Sequence, residues 1–163
     1  SAPAAPKEDQ GQECEQRDGE ILRSLPGVGR IVLATLLSEA SQPLGERDYH
    51  TLRALTGVAP VTRRSGKKCV VVMRKACHTR LRAAMYHWAR VAVQRDQLSQ
   101  SKYAELRKRG HSHGRALRGV ADRLLAVACA MLKEGSTYDP AHLSGASLAA
   151  KRDVEAEYDS RAA

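Results

Sequence analysis

Ser65-Gly66 lies between Arg63-Arg64 and Lys67-Lys68. A hydroxyl among four cations stands where phosphates gather, and charge stabilisation is most of what phosphoryl transfer asks of a protein. The glycine permits a small exposed turn, so these residues allow Ser65 to act as a nucleophile on a phosphodiester. A turn serine in a basic loop is the plainer reading, and spacing alone favours it. His87-Trp88-Ala89-Arg90, with arginines upstream and Tyr103 and Tyr138 downstream, offers a different nucleophile, a tyrosine. Against it, Trp88 falls on a helical stripe that a core needs. Of the cysteines at 14, 69, 77 and 129, none forms a C-x-x-C pair. Cys77-His78 with Cys69 and His87 matches no standard metal spacing, and His111-x-His113 reads as a solvated helix start. No metal site and no cofactor are expected in this chain.

The second chemical signal is Leu25-Pro26-Gly27-Val28-Gly29. Two glycines allow a tight connection between helices, and the amides of the turn and of the next helix start can face phosphate oxygens. The segment reads as a helix-hairpin-helix element, with an ordinary helix–helix turn as the alternative. Charge favours the first. From Tyr49 to Arg95 there is no Asp or Glu, and eleven of the 27 basic residues lie in that stretch. Outside it, 18 acids slightly outnumber the remaining 16 bases, so the net charge of +9 resides in one central block. Such a block concentrates positive potential for a polyanion. The residues expected on nucleic acid are Gly27, Val28, Gly29, Arg30, Arg63, Arg64, Gly66, Lys67, Lys68, Arg74, Lys75, Arg80 and Arg82.

The elements that must position these groups are mostly helices. Aromatic residues make up 4% of the chain and Phe is missing, so a core of Leu, Val, Ala and Met is expected, in a compact helical bundle that opens with the helix-hairpin-helix. Residues 1–18 read as a flexible acidic lead-in from a longer protein, 19–138 as the folded domain and 139–163 as a polar tail. Helices are expected over Glu20–Leu25, Arg30–Ala40, Asp48–Leu55, Thr79–Gln94, Ser99–Lys108 and His113–Lys133, with Ser41–Gly45 as a loop and a possible short β-hairpin near 60–74. Leu81, Ala84, Met85, Trp88 and Ala92 form one inward stripe. Leu117, Val120, Ala121, Leu124, Leu125, Ala128 and Met131 form another, and Cys129 joins the core. No segment is long and apolar enough to span a membrane, and reduced thiols fit a cytoplasmic protein.

Several pieces stand in an order that is specific as a set: Leu25-Pro26-Gly27-Val28-Gly29, Ala34-Thr35-Leu36-Leu37-Ser38-Glu39, Leu55-Thr56-Gly57-Val58-Ala59-Pro60, Ser65-Gly66, Lys75-Ala76-Cys77-His78, Leu81-Arg82-Ala83-Ala84, Tyr103, Leu106-Arg107, Gly110 and Ala116-Leu117-Arg118-Gly119-Val120-Ala121. Over about residues 20–138 the chain resembles the C-terminal serine domain of the bacterial insertion-sequence transposases related to the Piv DNA invertases. The resemblance implies DNA transposition or site-specific recombination with Ser65 as nucleophile. It implies an N-terminal RuvC-like domain of the same protein holding Mg²⁺ on four acidic residues, a structured guide RNA from the element, and a homo-oligomer. This chain departs in having Cys77-His78 where the family usually has Gly-Asn, and it contains no acidic tetrad. By itself it is expected to bind nucleic acid and cut nothing. The other readings are a non-catalytic helix-hairpin-helix nucleic-acid-binding module and a tyrosine recombinase fragment.

The charge block sets a first expectation. If it makes ~5 phosphate contacts, log K for duplex DNA falls with log salt at a slope of about −4 to −5. Binding isotherms over a salt series check this, and an unchanged isotherm would remove the block from the interface.

Overall fold

The structure is a computed structural model. It describes the backbone of residues 7–72 and 78–141, with side chains over 11–60, 66–67 and 78–141. Among the described residues, seven helices and one hairpin follow in the order α1 (Lys7–Ser24), α2 (Arg30–Glu39), α3 (Ser41–Gly45), α4 (Tyr49–Thr56), β1 (Val61–Ser65), β2 (Lys68–Val72), α5 (Thr79–Arg95), α6 (Gln97–Lys108) and α7 (His113–Glu134). The fold is a mostly helical bundle. α5 and α7 pack on each other at its centre; α2, α4 and α6 pack against α5, and α1, α4 and α6 against α7.

The two stripes explain why α5 and α7 are central. Leu81, Ala84, Met85, Trp88 and Ala92 are all buried, as are Leu117, Val120, Ala121, Leu124, Leu125, Ala128, Cys129 and Met131. On α2 the outcome is mixed. Leu33 and Leu36 are buried together with Val32, whereas Ile31 is 82% exposed.

The helix ends follow local chemistry. Asp48 caps α4 by accepting from the Thr51 amide at 3.0 Å, and Gly57 ends that helix in the left-handed region at φ 77°. Asp96 caps α6 through the Ser99 amide at 3.0 Å and takes the buried Ser99 hydroxyl at 2.6 Å. Ser112 caps α7, and Gly135 closes it at φ 68°. Such polar caps and glycine stops satisfy helix-end groups that would otherwise lack partners.

Two boundaries differ from the sequence expectation. The lead-in expected over 1–18 is helical from Lys7 onward. Its sequence has helix-forming Glu, Gln, Lys and Arg but no apolar period, so no pattern marked it. Near its end, Asp18 pairs bidentately with Arg47, one oxygen at 2.8 Å, and Arg17 donates to the Gly135 carbonyl. Ser41–Gly45, expected as a loop, is a short helix. Pro43 sits in its first turn, where a missing amide proton costs nothing.

The Pro-Gly turn locks α2 onto α5. Gly27 adopts φ 82°, and a Cβ there would lie 2.8 Å from the Ala92 backbone nitrogen and 2.9 Å from the Trp88 carbonyl oxygen. The Trp88 indole, fully buried, donates to the Pro26 carbonyl at 2.8 Å. At the other end of the same pair, Glu39 of α2 meets His78 and Arg80 at the start of α5. α2 therefore runs antiparallel to α5.

Gly27→Val combines a strained left-handed backbone with overlap against helix backbone, which cannot yield as a side-chain tip would. A stability loss of about 3 kcal/mol or more is expected. Urea unfolding followed by circular dichroism measures it, and a wild-type midpoint would refute the close approach.

Candidate nucleic-acid interface

Ser65 is the last residue of β1. The antiparallel register pairs it with Lys68, Arg64 with Cys69 and Arg63 with Val70, leaving Gly66 and Lys67 as a two-residue turn. Gly66 has φ 58°, and a glycine at the first central position is what a type II′ hairpin turn requires. The Ser-Gly motif is thus the tip of a hairpin, with Gly66 and Lys67 both exposed.

An isolated two-stranded hairpin is marginal in water, so its base must be held. It is. The Ala59 amide donates to the Arg53 carbonyl at 3.2 Å, and the His78 amide to the Leu55 carbonyl at 2.9 Å. Residues 59 and 78, which flank the hairpin, thus both bond to the last turn of α4. That turn is itself fixed to α7: Arg53 grips Asp122 with two bonds of 2.7 and 2.8 Å, and Tyr49 donates to the same carboxylate at 2.6 Å. Burial would depress the Arg53 pKa, but Asp122 and Tyr49 outweigh it and hold the guanidinium above its ordinary range. Burial, then Asp122, raises the Tyr49 phenol.

His78 is the N-cap of α5. Its Nδ1 accepts from the Leu81 amide at 3.4 Å, and its Nε2 faces Glu39 at 3.0 Å. The departure noted at Cys77-His78 thus leaves a capping side chain at residue 78. Cys77 lies outside the described residues, as do Arg74 and Lys75.

Not every expected contact residue faces outward. Gly27 is occupied by close packing on α5, and the Val28 amide donates to the Leu25 carbonyl at 3.4 Å. At Gly27 the missing side chain serves this close approach to α5. Gly29 does lie in open space, and with Arg30 it is exposed at the start of α2, which has no side-chain cap. The structure also separates the two expected binding elements. The hairpin base adjoins the first turn of α5, whereas the Pro-Gly turn packs at Trp88–Ala92, roughly 15–20 Å further along the helix at 1.5 Å per residue. Arg80 pairs with Glu39 at 3.2 Å while staying 80% exposed, an arrangement that yields readily to a stronger anion. Arg82 lines a cleft beside the hairpin base together with Arg115 and Arg118 of α7. Sequence reading missed those two, because they lie outside the acid-free block. The available signal was that the first turn of α7 has no acid, where a stable helix favours one.

The tyrosines serve other ends. Tyr138 donates to Asp96 at 3.3 Å, and its amide donates to the Ser24 hydroxyl, tying the chain after α7 to α1 and α6. Burial and the Asp96 carboxylate push its pKa up to about 12, the wrong direction for a nucleophile. Tyr103 and His113 bond at 2.7 Å across the α6–α7 connection. Among the described residues, no group of three or more His, Cys, Asp or Glu is arranged to hold a metal ion, and no helix is long and apolar enough to cross a membrane.

The described residues form a helical bundle that carries a basic two-stranded hairpin, and similarity gives its class. Residues 19–104 match the profile of the transposase IS116/IS110/IS902 family. The chain belongs to that family. It is 35% identical over 112 residues to the mini-circle protein of IS117 from Streptomyces coelicolor, which carries a transposase name, covering 68% of this chain and 27% of that protein. It is 32% identical over 123 residues to the 44.8 kDa protein of insertion element IS116 from Streptomyces clavuligerus, covering 75% and 31%. It is 33% identical over 132 residues to the 42 kDa protein of IS900 from Mycobacterium paratuberculosis, covering 80% and 33%. The chain thus spans about a third or less of the length of these curated relatives.

The open position of Gly29 gives a sharper variant than Gly27. Gly29→Val, at an extended backbone with free space around it, should keep the fold and weaken duplex binding roughly three- to tenfold, the worth of about one hydrogen bond. Circular dichroism and anisotropy on one sample check it; unchanged affinity would take the start of α2 out of the interface.

Proposed function

We propose that this chain is the DNA-handling, serine-bearing part of a transposase, with Ser65 as the nucleophile. The observation that carries the reading is that Ser65 ends β1 immediately before a two-residue turn, between arginine and lysine pairs, in a chain of the transposase family. The Ser65 Oγ attacks the phosphorus of a DNA phosphodiester, and its proton passes to solvent or a neighbouring base. The bond from phosphorus to one strand's ester oxygen breaks, and that oxygen leaves as a hydroxyl. The serine is now joined to DNA through a phosphodiester. A hydroxyl of another strand attacks the same phosphorus, and Ser65 departs as the free alcohol. Two transesterifications conserve the number of ester bonds and need no further reactant.

Arg63, Arg64, Lys67 and Lys68 supply positive charge where the phosphoryl oxygens gain negative charge. Arg74, Lys75, Arg80 and Arg82 hold flanking phosphates, and Gly29-Arg30 contacts backbone further along the duplex. The described residues do not fit a metal, so Mg²⁺ would belong to a RuvC-like domain outside this chain. A structured guide RNA and a homo-oligomeric assembly complete the proposal, which places the protein with its DNA in the cytoplasm.

The test is a labelled-DNA strand-exchange assay on a full-length transposase carrying this chain, run on a denaturing gel. Ser65→Ala should remove the protein-linked band and exchanged product while changing stability by less than about 0.5 kcal/mol, because a serine beside a polar turn contributes little to a core. The isolated chain should form no such band. Tyr103→Phe and Tyr138→Phe should retain it. Persistence of the band in Ser65→Ala would overturn the assignment, and loss in a folded tyrosine variant would transfer it.

A further inference from the structure

The cleft at the hairpin base has a construction that serine chemistry does not use. Its volume is about 560 Å³. The first two turns of α5 and α7 meet there, contributing Thr79 and Arg82 from one helix and Gly114, Arg115 and Arg118, with the cap Ser112, from the other. Neither first turn contains an acid. Helix starts carry partial positive charge, so arginines there oppose the helix dipole. Arg82, Arg115 and Arg118 have no carboxylate partner among the described residues. Burial, and then the charge of Arg115, lower the Arg118 pKa. Local preferences that contradict the fold in this way mark a place where a ligand supplies what the protein lacks.

The rest of the cleft is apolar. Val58, Met85, Leu117 and Ala121 line it, and Tyr86 stands at its edge, 44% exposed, with the His87 ring edge-on at 5.8 Å. A bare phosphate has no use for such a floor. Duplex DNA keeps its bases stacked and paired and offers the floor nothing. An acidic peptide would satisfy the arginines but brings nothing flat to Tyr86. An unpaired nucleotide brings both, a phosphate for the guanidinium groups and a base with apolar faces.

We propose that this cleft holds an unpaired nucleotide of a single-stranded segment, its phosphates on Arg82, Arg115 and Arg118 and its base against Tyr86 and the apolar floor. The inference rests on the reading that the chain handles nucleic acid and is independent of Ser65. A displaced DNA strand and an RNA loop present the same chemistry.

The whole chain is titrated with labelled oligo-uridine, oligo-thymidine and a blunt DNA duplex, with folding checked by circular dichroism. The Arg115→Gln/Arg118→Gln double variant should bind single strands at least about tenfold more weakly, with a salt slope shallower by about 1.4 for two lost contacts. Its duplex affinity should change by less than about threefold, within the worth of one weak contact. Tyr86→Ala, at an exposed position, should cost the single strand about five- to tenfold, the low end for a stacked base, and Tyr86→Phe should restore it. Tighter binding of uridine strands assigns the cleft to RNA, and tighter binding of thymidine strands to DNA. Equal losses on duplex and single strand would reduce the cleft to a general cationic patch and overturn the proposal. So would unchanged single-strand binding in the variants, or poly-glutamate bound as tightly and lost with the same substitutions. A chain that binds none of the three nucleic acids would sink the underlying reading, whereas duplex binding with variant-insensitive single strands sinks this inference alone.

Discussion

The approach of the Pro26-Gly27 turn to α5 is the constraint on which the bundle depends. Gly27 lies against the backbone of Trp88 and Ala92, and the Trp88 indole donates to Pro26. No larger residue fits between turn and helix, so α2 has one place to start. Running antiparallel to α5 from that point, it delivers Glu39 to the opposite end, where the carboxylate meets His78 and Arg80. His78 caps α5 and gives its amide to Leu55. A contact at one end of α5 thus reaches the hairpin stem at the other through a single rigid helix pair.

Charge is distributed with two different logics. On one side, acids outside the basic block pair with part of it: Asp122 takes Arg53, and Glu39 takes Arg80 and faces His78. These pairs join elements distant in sequence and act as registration points more than as sources of stability, since partly exposed ion pairs contribute little. Elsewhere, Arg82, Arg115 and Arg118, in the first two turns of α5 and α7, have no carboxylate partner among the described residues. Helix stability alone does not account for arginines at these positions, and under the proposal above a bound anion would supply the counter-charge.

Much of this was legible in the sequence. The stripes on α5 and α7 read directly as core because a long helix with apolar residues at three and four spacing has one face to bury. Asp48, Gly57 and Ser65-Gly66 were readable as local chemistry. Other features depend on what lies opposite in space. The glycine pair of the Pro-Gly turn looked equivalent in sequence, yet Gly27 faces a helix backbone and Gly29 faces open space. α1 carries no apolar period over its first half, so its helical extent could not be seen. Ile31 belongs to an apolar run but lands on the outer face of α2. Arg115 and Arg118 sit far from the basic block and join its edge only because α5 and α7 bring their first turns together.

The hairpin holds its turn away from the bundle. Five-residue strands span roughly 15 Å, which separates the tip from the α4–α5 junction. A two-stranded ribbon of that length has little stability of its own, so its direction must be imposed at the base. Two helix ends impose it: α4 finishes at a left-handed glycine and accepts the amides of Ala59 and His78, and α5 begins under the cap of His78. The polar cap at residue 78 and the left-handed glycine at residue 57 fix the two helix ends that flank the hairpin, and Ser65-Gly66 lies at its tip between two arginines and two lysines.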